Sequence, residues 1–350
     1  MGGTLRIGVI GLGAIGGPVA ARLAESQPPG ELLRLAAGSE ATAARLRASG
    51  LAVAGLGAAL SIPPERFGGA ALALDAQLPA LDPGYDVLLL CVRGEATQGA
   101  LAHAVPLLAP SGAIVCLQNG LPEEAVAAQA GAGRTLGAVI GWSATVDAPG
   151  RYRLTGKGGF RLGAFAPEGA AQLDKCKTVL ARAFPVEATQ NLAGARWGKL
   201  ALNCAISTLG AVSGLSFGAL ARSPLARRLA LRCIGEVVAV AKASGVRLEP
   251  SSGLRAEWLD GLSRPLFNPL RGLLFRLAAS QRPTQRSGML ERLLAGRTSG
   301  QIDDLNGAVV RVAERVGLSG AVPVNRALLG LVHAIERGEE KIGVGLLERI

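Results

Sequence analysis

At 350 residues the chain is too long for one ordinary hydrophobic core and suits two domains of usual size. Hydrophobic residues at 49% against 18% charged exclude an intrinsically disordered chain, since enough apolar side chain is present to fill a large core. The formal charge of +11 comes from 37 Lys and Arg scattered along the sequence, so no nucleic-acid partner is expected, and a diffuse positive field suits anionic small molecules.

The opening MGGTLRIGVIGLG runs directly into an apolar strand over Leu5 to Ile10, with no basic segment followed by a cleavable apolar stretch, and a cytoplasmic location is expected. Gly11-Leu12-Gly13-Ala14-Ile15-Gly16 follows, at the start of a helix from about Ala14 to Ser26. This is G-x-G-x-x-G in the setting its chemistry needs. Gly11 permits the tight turn, Gly13 lets backbone approach a pyrophosphate, and Gly16 lets helix pack closely on strand. The helix start adds N–H groups and a positive dipole end. A second strand near Leu32 to Ala36 ends in Ala37-Gly38-Ser39, with no acid where an NAD-type site binds the ribose 2′-hydroxyl. Glu31 lies at the wrong end and Glu40 beyond it, while Ser39 or Arg45 can meet a 2′-phosphate. The expected cofactor is therefore NADPH/NADP+.

A helix over Ala41 to Ala48 and buried strands at Asp86 to Val92 and Ala113 to Leu117, each followed by a helix, continue the alternation of a parallel sheet. Turn residues within Gly150 to Leu162 suggest a hairpin closing this domain. From about Gly194 the pattern changes to long helices, which puts an N-terminal domain at residues 1–186 and a helical one at 187–350. Residues 200–221 carry no charge, but Asn203, Ser207, Thr208 and several glycines mark a buried helix and turn rather than a membrane span. Residues 262–286 mix Pro, Arg and apolar side chains and read either as a lid or as a connection. Cys91, Cys116, Cys176, Cys204 and Cys233 are odd in number and widely spaced, as buried thiols rather than a disulfide framework.

Within the helical half, Trp197-Gly198-Lys199-Leu200-Ala201-Leu202-Asn203 puts Lys199, Asn203 and Ser207 at intervals of four, one polar stripe among Leu200, Leu202 and Ile206. A lysine embedded in an apolar helix is either a structural ion partner or an acid catalyst whose pKa desolvation has lowered. The residues alone leave both open. His103 and His333 lack ligand-spaced neighbours, so no metal site is expected, and Trp142 and Trp197 read as packing.

The GLGAIG loop, Leu117-Gln118-Asn119-Gly120, WGKLALNC, Gln301-Ile302-Asp303-Asp304-Leu305-Asn306-Gly307 and the closing VNRALLGLVHAIE, in that order over residues 5–337, resemble the ketopantoate reductase family. The resemblance implies an α/β fold, an N-terminal Rossmann-type parallel sheet domain followed by an all-α C-terminal domain. It also implies NADPH-dependent reduction of 2-dehydropantoate to pantoate, the reduction step of pantothenate biosynthesis. In the family the lysine at Lys199 donates a proton, the asparagine at Asn119 touches cofactor and substrate, and the one at Asn203 binds substrate. Arg93 stands where the family has a lysine near the cofactor phosphates.

Three positions depart from that pattern. Ser207 replaces a second substrate asparagine, Gly288 replaces a serine that Ser287 offers one residue earlier, and Gln301 replaces a glutamate at the cofactor and substrate junction, with one residue inserted upstream. The expected partner is a small-molecule 2-oxo acid, with no nucleic acid and no membrane, and a homodimer is admitted. The departures keep two alternatives in view: a paralogue acting on another 2-oxo acid, and a non-catalytic NADP(H)-binding protein. Retention of both Lys199 and Asn119 argues against the second, because a sensor has no need of a proton donor.

Overall fold

The computed structural model describes residues 5–79, 84–251, 253–260, 268–280 and 283–350. These fall into two compact units, Met1–Gln118 with Pro122–Leu192, and Asn119–Leu121 with Ala193–Ile350.

In the first unit the apolar runs become a parallel sheet. Its elements in order are β1 (Arg6–Ile10), α1 (Gly16–Glu25), β2 (Leu32–Ala36), α2 (Glu40–Ser49), β3 (Leu51–Gly55), β4 (Ala58–Ile62), β5 (Leu72–Asp75), β6 (Tyr85–Leu90), α3 (Thr97–Ala104), β7 (Leu108–Cys116), α4 (Glu123–Ala130), β8 (Thr135–Ile140), β9 (Ser143–Ala148), β10 (Arg151–Gly156), β11 (Phe160–Ala164), α5 (Leu173–Ala181) and β12 (Val186–Ala188). Eight strands lie in the order β12-β11-β8-β7-β6-β1-β2-β5, all parallel to their neighbours except where β11 meets β8. Ile7 on β1 stands level with Leu33 on β2 and Val87 on β6, and all three are fully buried. A central parallel strand is covered on both faces, which is why β6 ends in the continuous apolar run Val87 to Leu90 rather than alternating.

The hairpin expected over 150–162 is a different object. Gly150, at φ +72°, turns β9 into β10, and these pair antiparallel. The chain then leaves that pairing, and β11 joins the large sheet beside β8. β9 and β10 belong instead to a second sheet, order β4-β3-β10-β9, which the sequence reading did not foresee. Its strands are only five or six residues long, and β9 carries no buried residue.

The second unit is helical: α6 (Leu192–Ser213), α7 (Phe217–Arg222), α8 (Pro224–Ala243), α9 (Asn268–Ser280), α10 (Gly288–Leu294), α11 (Asn306–Arg315) and α12 (Pro323–Glu336). Its core gathers Trp197, Leu200, Cys204, Leu209, Ile234, Val237, Phe275, Val309 and Leu328. The uncharged stretch 200–221 is the rest of α6, a turn at Gly214 (φ +77°) and most of α7. Among the described residues no helix is long and apolar enough to cross a membrane. Of the ambiguous stretch 262–286, residues 268–280 form α9, and 262–267 with 281 and 282 lie outside the described residues. All five cysteines are free thiols, four of them buried.

Candidate active site

In the sheet unit, β1 delivers the chain into the glycine loop at the carboxyl edge of the sheet, where ligands of doubly wound folds bind. The Gly11 N–H donates to the Ala36 carbonyl at 2.8 Å, and Gly11 adopts φ +92°. A Cβ on Gly16 would stand 1.8 Å from the Gly11 carbonyl oxygen, so only glycine lets α1 begin this close to β1. Gly13 is exposed, and a Cβ there would meet nothing within 4 Å. The start of α1 has no side-chain cap and no acid in its first turn. A glycine loop opening onto a helix start with no side-chain cap and no acid in its first turn fits a dinucleotide pyrophosphate.

Ser39, the N-cap of α2, accepts from the Thr42 N–H and donates to the Thr42 hydroxyl. As the sequence indicated, β2 ends without an acid. A carboxylate nonetheless reaches that edge from β5, where Asp75 stands level with Ala36. Arg47 holds Asp75 at 3.5 Å and also pairs with Glu40. Arg93, in the turn after β6, pairs with Glu95 at 2.9 Å, and both are about half exposed. An exposed pair of this kind is weak and can be displaced by a phosphate.

In the helical unit, Lys199, Leu202, Asn203, Ile206 and Ser207 are the half-buried positions of a stretch of α6 whose other side chains from Leu200 to Leu209 are buried. The stripe read from the spacing is thus the open side of the helix. Burial, and secondly the Arg196 guanidinium one turn back, bring the Lys199 ammonium from its ordinary 10.5 down to about 7. The helix is held from behind. A Cβ on Gly198 would lie 2.1 Å from the Glu249 carbonyl oxygen, and the Glu249 N–H donates to the Gly194 carbonyl at 3.0 Å.

Asn119 and Gln301, far apart in sequence, meet: the Asn119 Nδ2 donates to the Gln301 Oε1 at 3.0 Å. Two close approaches enforce this. Gly120, at φ +82°, brings its Cα to the Asp304 backbone, where a Cβ would come within 2.3 Å of the carbonyl oxygen. The Gln301 carbonyl in turn accepts from the N–H groups of Asp304 and Leu305, folding 301–305 into the turn that opens α11. Ser287 caps α10, accepting from the Leu290 N–H at 3.1 Å, and its hydroxyl donates to the Ser207 carbonyl at 3.0 Å. Its proton therefore serves the main chain at the lower end of the stripe.

The sequence reading missed three residues around these groups. Tyr152 lies under the glycine loop, its hydroxyl donating to the Leu12 carbonyl at 2.8 Å. Asn306 and Asn325 are fully buried among the core residues of the helical unit. Both stood inside quoted motifs, but an Asn in a helical pattern does not reveal whether it faces in or out. The residues set aside behave as packing: Trp142 stacks on Phe184 with ring centres 4.1 Å apart, and Trp197 is in the helical core. His103 bonds the Leu78 carbonyl and His333 faces Asp303. Among the described residues no cluster could hold a metal ion.

A parallel sheet with an uncapped, glycine-lined helix start, followed by a helical unit bearing a half-buried lysine beside amide and hydroxyl groups, defines a nicotinamide-dependent oxidoreductase. Residues 7–167 match the model of the ketopantoate reductase PanE/ApbA family, and residues 191–336 match the model of its C-terminal region. The chain belongs to the ketopantoate reductase family, whose members are oxidoreductases of the CH–OH/C=O couple. It is 26% identical over 261 residues to a 2-dehydropantoate 2-reductase of Pyrococcus horikoshii, covering 74% of this chain and 78% of that protein. It superposes on a PanE/ApbA family ketopantoate reductase of Ralstonia eutropha JMP134 with a TM-score of 0.76 at 27% identity, over 96% of this chain and 100% of that one. The fold is also that of D-mandelate dehydrogenase, solved with NADH and anilino(oxo)acetate, with a TM-score of 0.78 at 18% identity over 95% and 99% of the two chains.

Proposed function

We propose that the protein reduces 2-dehydropantoate to pantoate with NADPH, residues 1–186 holding the cofactor and residues 187–350 the substrate. The observation that carries this reading is Lys199 on the half-open face of α6, its ammonium brought to about 7, with Asn203 and Ser207 along the same stripe. The main chain of Gly11 to Gly16 would hold the pyrophosphate, Ser39 the 2′-phosphate, and Arg93 a cofactor phosphate in place of Glu95. NADPH when bound supplies the hydride, which adds to the C2 carbonyl carbon of the oxo acid.

The carbonyl oxygen then carries the negative charge of an alkoxide. The Lys199 ammonium stabilises that charge and gives up one proton, leaving pantoate and a neutral amine that water reprotonates. A proton donor near neutrality is well matched to this task, because it is still charged at working pH and yields its proton readily. Asn203 and Ser207 orient the substrate by hydrogen bonds, and Ser287 acts on it through the Ser207 main chain that it holds. Asn119 would contact the cofactor and the substrate, as its counterpart does in the family. Gln301 fixes the Asn119 amide and keeps its own Nε2 as a donor.

A second reading, reduction of another 2-oxo acid, is favoured by one feature. The Asn119–Gln301 pair is uncharged, whereas a glutamate in that place would present a carboxylate. The test for both is loss of NADPH absorbance with the purified protein on 2-dehydropantoate and a panel of other 2-oxo acids, with NADH in parallel. A kcat/KM on 2-dehydropantoate above about 10⁴ M⁻¹s⁻¹ supports the first reading. Silence there with turnover elsewhere in the panel selects the second, and silence throughout with NADPH still bound overturns both.

A further inference from the structure

Tyr152 belongs to the small sheet, which the reduction itself does not use. It is nearly fully buried, and two contacts fix it. Its ring lies against α1 where Gly17 has no side chain, since a Cβ there would fall 2.0 Å from the ring's Cζ. Its hydroxyl donates to the Leu12 carbonyl at 2.8 Å. Burial raises the phenol well above its ordinary value, so it remains a donor throughout the working range.

The consequence follows from peptide geometry. In a trans peptide the C=O and the following N–H point in opposite directions. No peptide among the described residues is cis, so a Leu12 carbonyl drawn inward by Tyr152 turns the Gly13 N–H outward. Gly13 is the exposed residue of the loop, with open space where its side chain would be. We propose that Tyr152 is a positioning residue for the dinucleotide, holding the Leu12–Gly13 peptide so that the Gly13 N–H faces a cofactor phosphate. The small sheet, in this light, braces the phosphate cradle from beneath. The inference rests on the dinucleotide reading of the glycine loop.

The test is calorimetric titration of the full-length protein and of Tyr152→Phe with NADPH, with 2′,5′-ADP, which carries the 5′-phosphate, and with 2′-AMP, which lacks it. Phe keeps the ring against Gly17 and removes only the donor. Without the anchor the peptide must be ordered at the moment of binding, and the loss of one net hydrogen bond corresponds to about 5- to 10-fold in affinity. NADPH and 2′,5′-ADP should weaken by that factor and 2′-AMP should be unchanged. The turnover number on the best oxo acid should stay within about twofold while KM for NADPH rises, because lost uniform binding leaves kcat alone. Gly17→Ala, whose methyl displaces the ring, should reproduce the pattern.

Wild-type protein that binds neither NADPH nor 2′,5′-ADP would remove the dinucleotide reading and this inference with it. Binding of all three by Tyr152→Phe as by wild type would overturn the positioning role alone. Equal weakening of all three, 2′-AMP included, would also overturn it, since that marks a general structural role.

Discussion

Lys199→Met separates the two roles that the sequence leaves open for this lysine. The substitution keeps an unbranched apolar stem and removes the charge. The ammonium sits at about 7 in the folded chain, against an ordinary 10.5, chiefly because burial disfavours the charged form. Folded protein therefore binds this proton less tightly than unfolded chain does. The penalty is complete below pH 7, shrinks as pH rises, and is gone above 10.5. At 1.36 kcal/mol per unit the whole shift corresponds to an upper bound of about 5 kcal/mol. Lys199 is half-buried rather than sealed, so a realised gain of about 2–3 kcal/mol at pH 7 is expected from the Met variant. Urea unfolding at pH 7 and again near pH 10.5 should show Met stabilising at the first and nearly neutral at the second. In the same preparation the turnover number should fall at least about 100-fold with NADPH affinity retained. In wild type, reduction should decline above pH 7 as the acid form is lost, and the reverse oxidation should rise. A Met variant less stable than wild type at pH 7, or one that still turns over, would refute this reasoning and make Lys199 a structural ion partner.

Gln301→Glu restores a carboxylate opposite Asn119 and should strengthen that hydrogen bond, raising kcat/KM on 2-dehydropantoate by about tenfold in NADPH assays; no gain would favour the other oxo-acid reading. Gly198→Ala forces a methyl against the Glu249 carbonyl and should cost about 3 kcal/mol in thermal melts, with the lower melting temperature accompanied by a raised KM for the oxo acid. Ser287→Ala removes both the cap of α10 and the bond to the Ser207 carbonyl, for an expected loss of about 1 kcal/mol by urea denaturation.

Features with a local cause were legible in the sequence. The glycine loop, the apolar end of β6, the change to helices and the Lys199 stripe each follow from spacing or from the steric demand of a few neighbouring residues. Long-range pairings were not. Nothing local sends β10 to the small sheet and β11 to the large one, because the choice depends on β3 and β8, strands that the sequence reading did not identify. Asp75 illustrates the same limit at the cofactor edge. β2 itself ends without an acid, but the sheet order places Asp75, at the end of β5, level with Ala36. Tyr152 was one aromatic in a predicted hairpin, and only the absence of a side chain at Gly17 shows what its ring packs against.

The geometry of the helical half of the site is set by a polar network that carries no chemistry of its own. Asn306 opens α11 directly after the Gln301 turn, and it touches α6 twice. Its Oδ1 accepts from the Thr208 hydroxyl at 2.7 Å, and its Nδ2 donates to the Cys204 carbonyl at 3.3 Å, one helical turn away. One buried side chain thus fixes the segment carrying Gln301, and with it Asn119, to the helix carrying Lys199, Asn203 and Ser207. The same Nδ2 also donates to Asn325 at 3.0 Å, and Asn325 donates to Glu236 on α8 at 2.8 Å. Glu236 accepts two main-chain N–H groups at the start of α12; burial raises its pKa above the ordinary carboxylate value, and the hydrogen bonds it receives offset only part of that rise. Apolar side chains in these places could fill the volume as well, but they would leave α6 free to rotate against α11. Hydrogen bonds with one allowed geometry remove that freedom, as a proton donor and its neighbouring amides require if they are to hold their places within about half an ångström.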